Sequence, residues 1–213
     1  SDKNSITVNS KKRSYLLNLP KNYDSGKAYP LILGLHWRTN SNKMVMDYMW
    51  LWWWKWDKRS TKEVITAYPA WIWNGPYTWH EEENIDFIDS MITEITNSLC
   101  VDKSDVHIVW HSLWAYFSNK LACRRWDIIS TMTAVAWPWY STDCTWPVAS
   151  LIMHNKADNL VNYSDWTRAL SLRKEINECK WNPEKINLSG LNCEKWNNCS
   201  EWNPVLFCKE YKT

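Results

Sequence analysis

The chain has 213 residues, 23% of them charged, and a formal net charge of +2. That near-neutral balance offers no basic surface for nucleic acid, and no apolar run approaches the roughly 20 residues of a membrane-spanning helix. The length fits one domain with a sizeable core.

The first ten residues, "SDKNSITVNS", are polar and lack the apolar stretch of a signal peptide, so Ser1 reads as the start of a mature or trimmed chain. The stretch "ITVNSKKRSYLLNLPKNYD" alternates and then turns, predicting two antiparallel strands, with "KKR" at 11–13 as a solvated strand end. "YPLILGLHW" at 29–37 is nearly continuous in apolar residues and has strand length, the pattern of a strand buried on both faces. Residues 38–62 read as irregular, and "EVITAYPA" at 63–70 as another buried strand.

In "EEENIDFIDSMITEITNSLC" the residues Ile85, Ile88, Ile92, Ile95 and Leu99 recur at helical spacing. Acids fill the first turn, where the helix dipole favours them. "VHIV" at 106–109 predicts a strand and 113–125 a helix; 131–137 and 148–154 are strands, and 164–179 a helix. The Asn- and Cys-rich stretch 180–204 reads as loop, and "PVLFCKEY" at 204–211 as a last strand. Strands alternating with helices predict an α/β fold around a mostly parallel sheet, with no repeats and no interdomain linker.

Cysteine and glycine usage are both unusual. Seven cysteines (100, 123, 144, 179, 193, 199 and 208) include no C-x-x-C pair, which argues against zinc or redox motifs. With sequons at Asn162, Asn187 and Asn198 they point to a secreted, disulfide-bonded glycoprotein. Three disulfides are expected, the Cys193/Cys199 region stapling the tail, with one cysteine left over. A chain this long should carry roughly 15 glycines at the usual ~7% share; it has four, and 19 tryptophans. Many tryptophans sit in turn-like settings, "AWPWYS", "AWIWNGP" and "KWNPE", where glycine belongs. Most are therefore read as glycine positions of a parent sequence. An indole at 110 or 114 should then collide with neighbouring backbone.

"VWHSLWAY" at 109–116 places Ser112 between a strand and a helix, framed by Trp110 and Trp114, where a hydrolase nucleophile elbow wants glycine. Four stretches share one order: "RSYLLNLPKNYDSGKAYPLILGLHW", "EEENIDFIDSMI", "VDKSDVHIVWHSLWAYFSNKLAC" and "LIMHNKADNLVNY". In that order the chain resembles the secreted feruloyl esterase, acetyl xylan esterase and polyhydroxybutyrate depolymerase group of α/β-hydrolases, over roughly residues 13–165.

The resemblance implies an α/β-hydrolase fold, a mostly parallel central sheet with helices on both faces, as a single domain over 1–213. It implies Ser112 as nucleophile and Asp158, in "MHNKAD", as the acid that orients the histidine base. Asp127, Asp143 and Asp165 are weaker rivals for the acid. The backbone amides of Leu113, Trp37 and Arg38 become oxyanion-hole candidates, and Trp79 a substrate-binding aromatic. His36, in "LGLHW", and Tyr163, near the acid loop, take structural roles. His107 and His111 are four apart, but in a strand, and "HEEE" lacks the second histidine of a zincin, so no metal site is expected.

The family's histidine comes after its final strand, whereas all five histidines here stand on other elements. The expectation is therefore that the chain stops before the catalytic-histidine loop, with no imidazole of its own between Ser112 and Asp158. By this resemblance the chain reads as a secreted, monomeric, cofactor-free serine esterase releasing ferulic acid from plant cell-wall polysaccharide esters. Acetyl xylan esterase or polyester depolymerase activity comes next. A carbohydrate-binding protein with stacking tryptophans, or an inactive derivative, are the readings of another class.

Overall fold

A computed structural model describes residues 2–36, 41–47, 63–70, 81–111, 115–136, 144–159, 161–188 and 190–209. The chain divides into two units, residues 1–106 and 107–213.

In the first unit, β1 (Asp2–Val8) and β2 (Lys11–Asn18) form an antiparallel hairpin in which Val8 pairs with Lys11. Its two-residue turn, Asn9 and Ser10, has φ of 49° and 61°. Positive φ at both positions is what a right-twisted two-residue hairpin requires, and asparagine tolerates it well. β2 pairs antiparallel with β4 (Ile65–Pro69), and β4 pairs parallel with β3 (Tyr29–Leu35). Leu31, Leu33, Leu35, Ile65 and Ala67 are buried, as the continuous apolar runs of β3 and β4 predict. Between β3 and β4, residues 42–47 form helix α1.

Helix α2 (Glu81–Ser98) buries Ile85, Ile88, Met91, Ile92 and Ile95. Each such side chain contributes about 1.5–3 kcal/mol relative to exposure. The basic run needs a correction: Lys11 and Lys12 are exposed, but Arg13 is buried. Its guanidinium lies 4.1 Å over the Phe87 ring and donates from Nη2 to Asn84 Oδ1 at 3.0 Å. Both partners come from α2, so Arg13 fastens helix to hairpin, while Lys11 and Glu83 pair at 2.8 Å outside it.

Strand β5 (Val101–His111) continues into the second unit and is longer than the "VHIV" core suggests. From His107 onward it pairs parallel with β6 (Thr131–Val135); β6 pairs parallel with β7 (Ala149–Met153), and β7 with β10 (Val205–Cys208). Helix α3 (Ala115–Arg124) comes after β5, and α4 (Tyr163–Ile176) after β7.

The stretch read as loop holds an antiparallel hairpin, β8 (Glu184–Leu188) and β9 (Leu191–Trp196), with β9 pairing antiparallel to β10. Its turn includes Gly190 at φ +90°. The strands escape a sequence reading because β8 buries no side chain fully and carries little apolar alternation.

Three disulfides form as expected: Cys123–Cys144, Cys179–Cys199 and Cys193–Cys208. Cys100 is the cysteine left over. Asn177 clamps the same region: its Nδ2 donates to the carbonyls of Val148 and Asn203, both at 2.9 Å. Beneath α4 the buried Arg173 donates to Asn119 Oδ1 at 3.2 Å and sets Nη1 and Nη2 at 3.5 and 3.6 Å from the sulfurs of Cys144 and Cys123. Burial lowers its pKa to about 10, so it stays charged at neutral pH.

The described tryptophans include buried and exposed ones. Trp110, Trp166 and Trp196 are buried. The expected collision at 110 does not occur: Trp110 pairs across the sheet with Ala134, whose small side chain leaves room, and packs edge-on against Phe117 at 6.1 Å. Trp181 and Trp202 are 79% and 93% exposed and have φ of 67° and 59°. That is a backbone region bulky residues seldom occupy. Trp114 lies outside the described residues.

Candidate active site

The register of the second unit places the site. His111 pairs with Val135, and Val135 with Met153, along three parallel strands. The carboxyl ends of β5 and β7 are therefore level, two strand spacings or about 10 Å apart. Ser112 comes directly after His111, and Asp158 lies five residues beyond Met153. In open α/β sheets, this carboxyl edge is where ligands bind. Ser112, Leu113, Trp37, Arg38 and Trp79 themselves lie outside the described residues, as does Asp143.

Asp158 is held by its own loop. Asn155 Oδ1 accepts from the Ala157 amide at 3.0 Å, and the Asn155 carbonyl accepts from Asp158 N–H at 3.1 Å. Asparagine at the head of a turn makes this local bonding available. Asp158 Oδ1 in turn accepts from the Val161 amide at 3.1 Å, closing the loop before α4 begins. The carboxylate is mostly buried, with 17% of its side-chain surface exposed. Of the rival acids, Asp127 lies in the turn after α3 and Asp165 in the first turn of α4.

Two imidazoles stand near this carboxylate. His154, the residue after β7, is fully buried, and its amide donates to the Cys208 carbonyl of β10 at 3.0 Å. Its ring stacks on Trp166 at 4.5 Å and on Tyr163 at 6.2 Å, and its Nδ1 lies 3.9 Å from Asp158 Oδ2. Burial pushes its pKa below the usual histidine value, against the opposing pull of the Asp158 charge and the Val161 main chain. His111 is shifted the same way by burial, and it too feels Asp158. Asp158 therefore lies within electrostatic reach of the residue before Ser112.

The remaining described histidines have other surroundings. His107 lies in mid-strand, with Nδ1 2.6 Å from Thr131 Oγ1, and the half-buried His36 comes after β3 in the first unit. Among the described residues no cluster of His, Cys, Asp and Glu could hold a metal ion, and no helix is long and apolar enough to cross a membrane. Tyr163 packs where the sequence places it, beside the acid loop. From sequence, His154 stands four residues before Asp158 and is too early in chain order to be the base; what the sequence does not show is that its ring packs against the acid.

A strand that leads to a serine, a helix after it, and an acid after a later parallel strand fit the α/β-hydrolase arrangement. Comparison with solved structures shows the same fold. An acetyl xylan esterase from Aspergillus awamori superimposes with a TM-score of 0.70 at 15% identity, over 99% of this chain and 93% of that one. A ferulic acid esterase from Anaeromyces mucronatus, solved with ferulic acid, gives 0.60 at 15% identity over 81% and 79%.

By sequence, the chain is 32% identical over 115 residues to a probable feruloyl esterase C of Aspergillus niger, and 30% over 115 to the feruloyl esterase C of Emericella nidulans. No protein-family model matches. The chain thus shares the fold of these esterase structures and is similar in sequence to feruloyl esterases. The match covers 53% of this chain and 42% of each of those two relatives, so it spans less than half of their length.

Proposed function

We propose that the protein is a serine carboxylic-ester hydrolase that releases ferulic acid from esters of plant cell-wall polysaccharide. The observation that carries this reading is the level alignment of the carboxyl ends of β5 and β7, which lead to Ser112 and Asp158 in the fold's chain order. The feruloyl esterase relatives supply the acyl group, and the acetyl xylan esterase of like fold supplies a cell-wall polymer.

In this reading Ser112 Oγ attacks the ester carbonyl as a histidine takes its proton. The amides of Leu113, Trp37 and Arg38 receive the developing oxyanion, and the sugar hydroxyl leaves with the histidine's proton. Water, activated by the same base, then cleaves the acyl-serine and releases the acid. Asp158 orients and stabilises the imidazolium, and Trp79 stacks on the phenolic ring. Metal and cofactor play no part in the scheme. His107, engaged in mid-sheet, and His154, packed behind the acid, are not the base in this scheme.

Disulfides and exposed sequon asparagines at 162, 187 and 198 suit a secreted, glycosylated monomer. Acetyl esters of xylan are the second substrate class, favoured by the fold likeness to the acetyl xylan esterase. Hydrolysis of methyl ferulate against methyl acetate, compared with Ser112→Ala, tests both. Glycan binding that survives Ser112→Ala without any hydrolysis would replace the enzyme by a binding protein.

A further inference from the structure

Among the described residues, His154 is a fully buried group beside Asp158 that the proposed chemistry does not use. Its side chain is fully buried, and neither ring nitrogen meets hydrogen-bond geometry with a described residue, although the Val161 main chain lies close enough to favour the protonated ring. Orphaned buried nitrogens are costly, and each calls for a reason. The two nearby rings cannot satisfy them: Trp166 and Tyr163 lie nearly parallel to the imidazole, at 19° and 24°, and offer faces rather than acceptors. The acceptor that Nδ1 faces is Asp158 Oδ2, 3.9 Å away. An approach of about 1 Å would make a normal hydrogen bond. Hydrogen bonds of catalytic groups are often long in unliganded proteins and tighten in the reacting complex.

We propose that His154 is a positioning residue for Asp158, its stacked imidazole supplying a fixed donor that sets where the carboxylate stands when the site is engaged. This rests on the assignment of Asp158 as the catalytic acid. Two contacts of different kinds hold or face the carboxylate among those described. The Val161 amide takes Oδ1 through the loop's own backbone. His154 addresses Oδ2 from β7, held by the Cys208 carbonyl and the two rings. The donor is the neutral imidazole, which burial favours. On protonation it becomes a full ion pair that competes with the catalytic base for the carboxylate. Lys156, whose Nζ lies 5.7 Å over the Tyr163 ring, and His111 are the other charged or titratable groups facing this pocket, together with Tyr163 itself.

The test uses two independent readouts. Ser112 is labelled with a fluorophosphonate across pH 4–8 in the wild type, His154→Asn and His154→Phe, with folding checked by circular dichroism. Asparagine places a donor near Nδ1, whereas phenylalanine keeps the stack and removes the donor. We expect His154→Phe to label slower on the order of 10- to 100-fold, the scale of an ångström-sized misplacement. His154→Asn should recover most of that loss and should lose the acid limb that tracks imidazole protonation. Equal labelling by all three folded forms would overturn the proposal, as would equal loss in both variants.

In parallel, NMR monitors the His154 imidazole in wild type and Asp158→Asn. Removing the carboxylate should lower the pH at which His154 titrates. An unchanged titration would overturn the pairing whatever the labelling shows. If Ser112 fails to label in every form while the titration still shifts, the esterase reading falls and the His154–Asp158 pairing stands.

Discussion

Trp181 and Trp202 carry φ of 67° and 59° and expose most of their indoles, so they bear the cost of the left-handed region without any packing gain. Only glycine occupies that region freely. Trp181→Gly and Trp202→Gly should each raise unfolding stability by about 1 kcal/mol, the scale of a relieved single-residue backbone strain. Urea denaturation would show it; a loss at both positions would contradict the strain account. If glycine fills such positions in the native polypeptide, peptides spanning residues 181 and 202 from the isolated protein will be lighter than the sequence requires. Peptide masses that match the sequence would end that reading.

His111 and His154 give a second prediction at the same scale. Both are held below the ordinary histidine pKa in the folded chain by burial. The unfolded chain therefore binds protons first as pH falls, and stability drops once pH passes below about 6.5. Above that value the contribution is complete. Melting temperatures between pH 8 and 5 should fall, and less steeply in His154→Asn. An identical slope in the variant would show that His154 carries none of the effect.

At the scale of elements, β8 and β9 show what a disulfide adds to weakly apolar strands. β8 buries no residue fully, and Cys193 of β9 is bonded to its register partner Cys208 of β10. A bridge closing a loop of this size contributes about 3 kcal/mol, mostly by restricting the unfolded chain. Cys193→Ser with Cys208→Ser should cost roughly that much in chemical denaturation. An unchanged midpoint would mean that β10 and the Asn177 clamp suffice. The hairpin itself was not legible in the sequence, because its polar residues at 187, 189 and 192 resemble those of a loop. The buried strands β3, β4 and β6 were legible, since continuous apolar runs have few other uses. Arg13 was not: its partners Asn84 and Phe87 lie 71 and 74 residues away, and only tertiary structure joins them.

For the whole molecule, the carboxyl edge of the sheet links sequence to function. The order of Ser112 and Asp158 and their strand–turn contexts could be read from residues alone, because an elbow needs a strand before it and a helix after it. The buried imidazole behind the acid could not, because "MHNKAD" reveals a spacing and not what packs around it. Fluorophosphonate labelling with peptide mapping tests the central claim most directly. The account predicts covalent modification at Ser112, abolished in Ser112→Ala and slowed in Asp158→Asn with the fold intact. Modification at another residue, or none in the folded wild type, would contradict it.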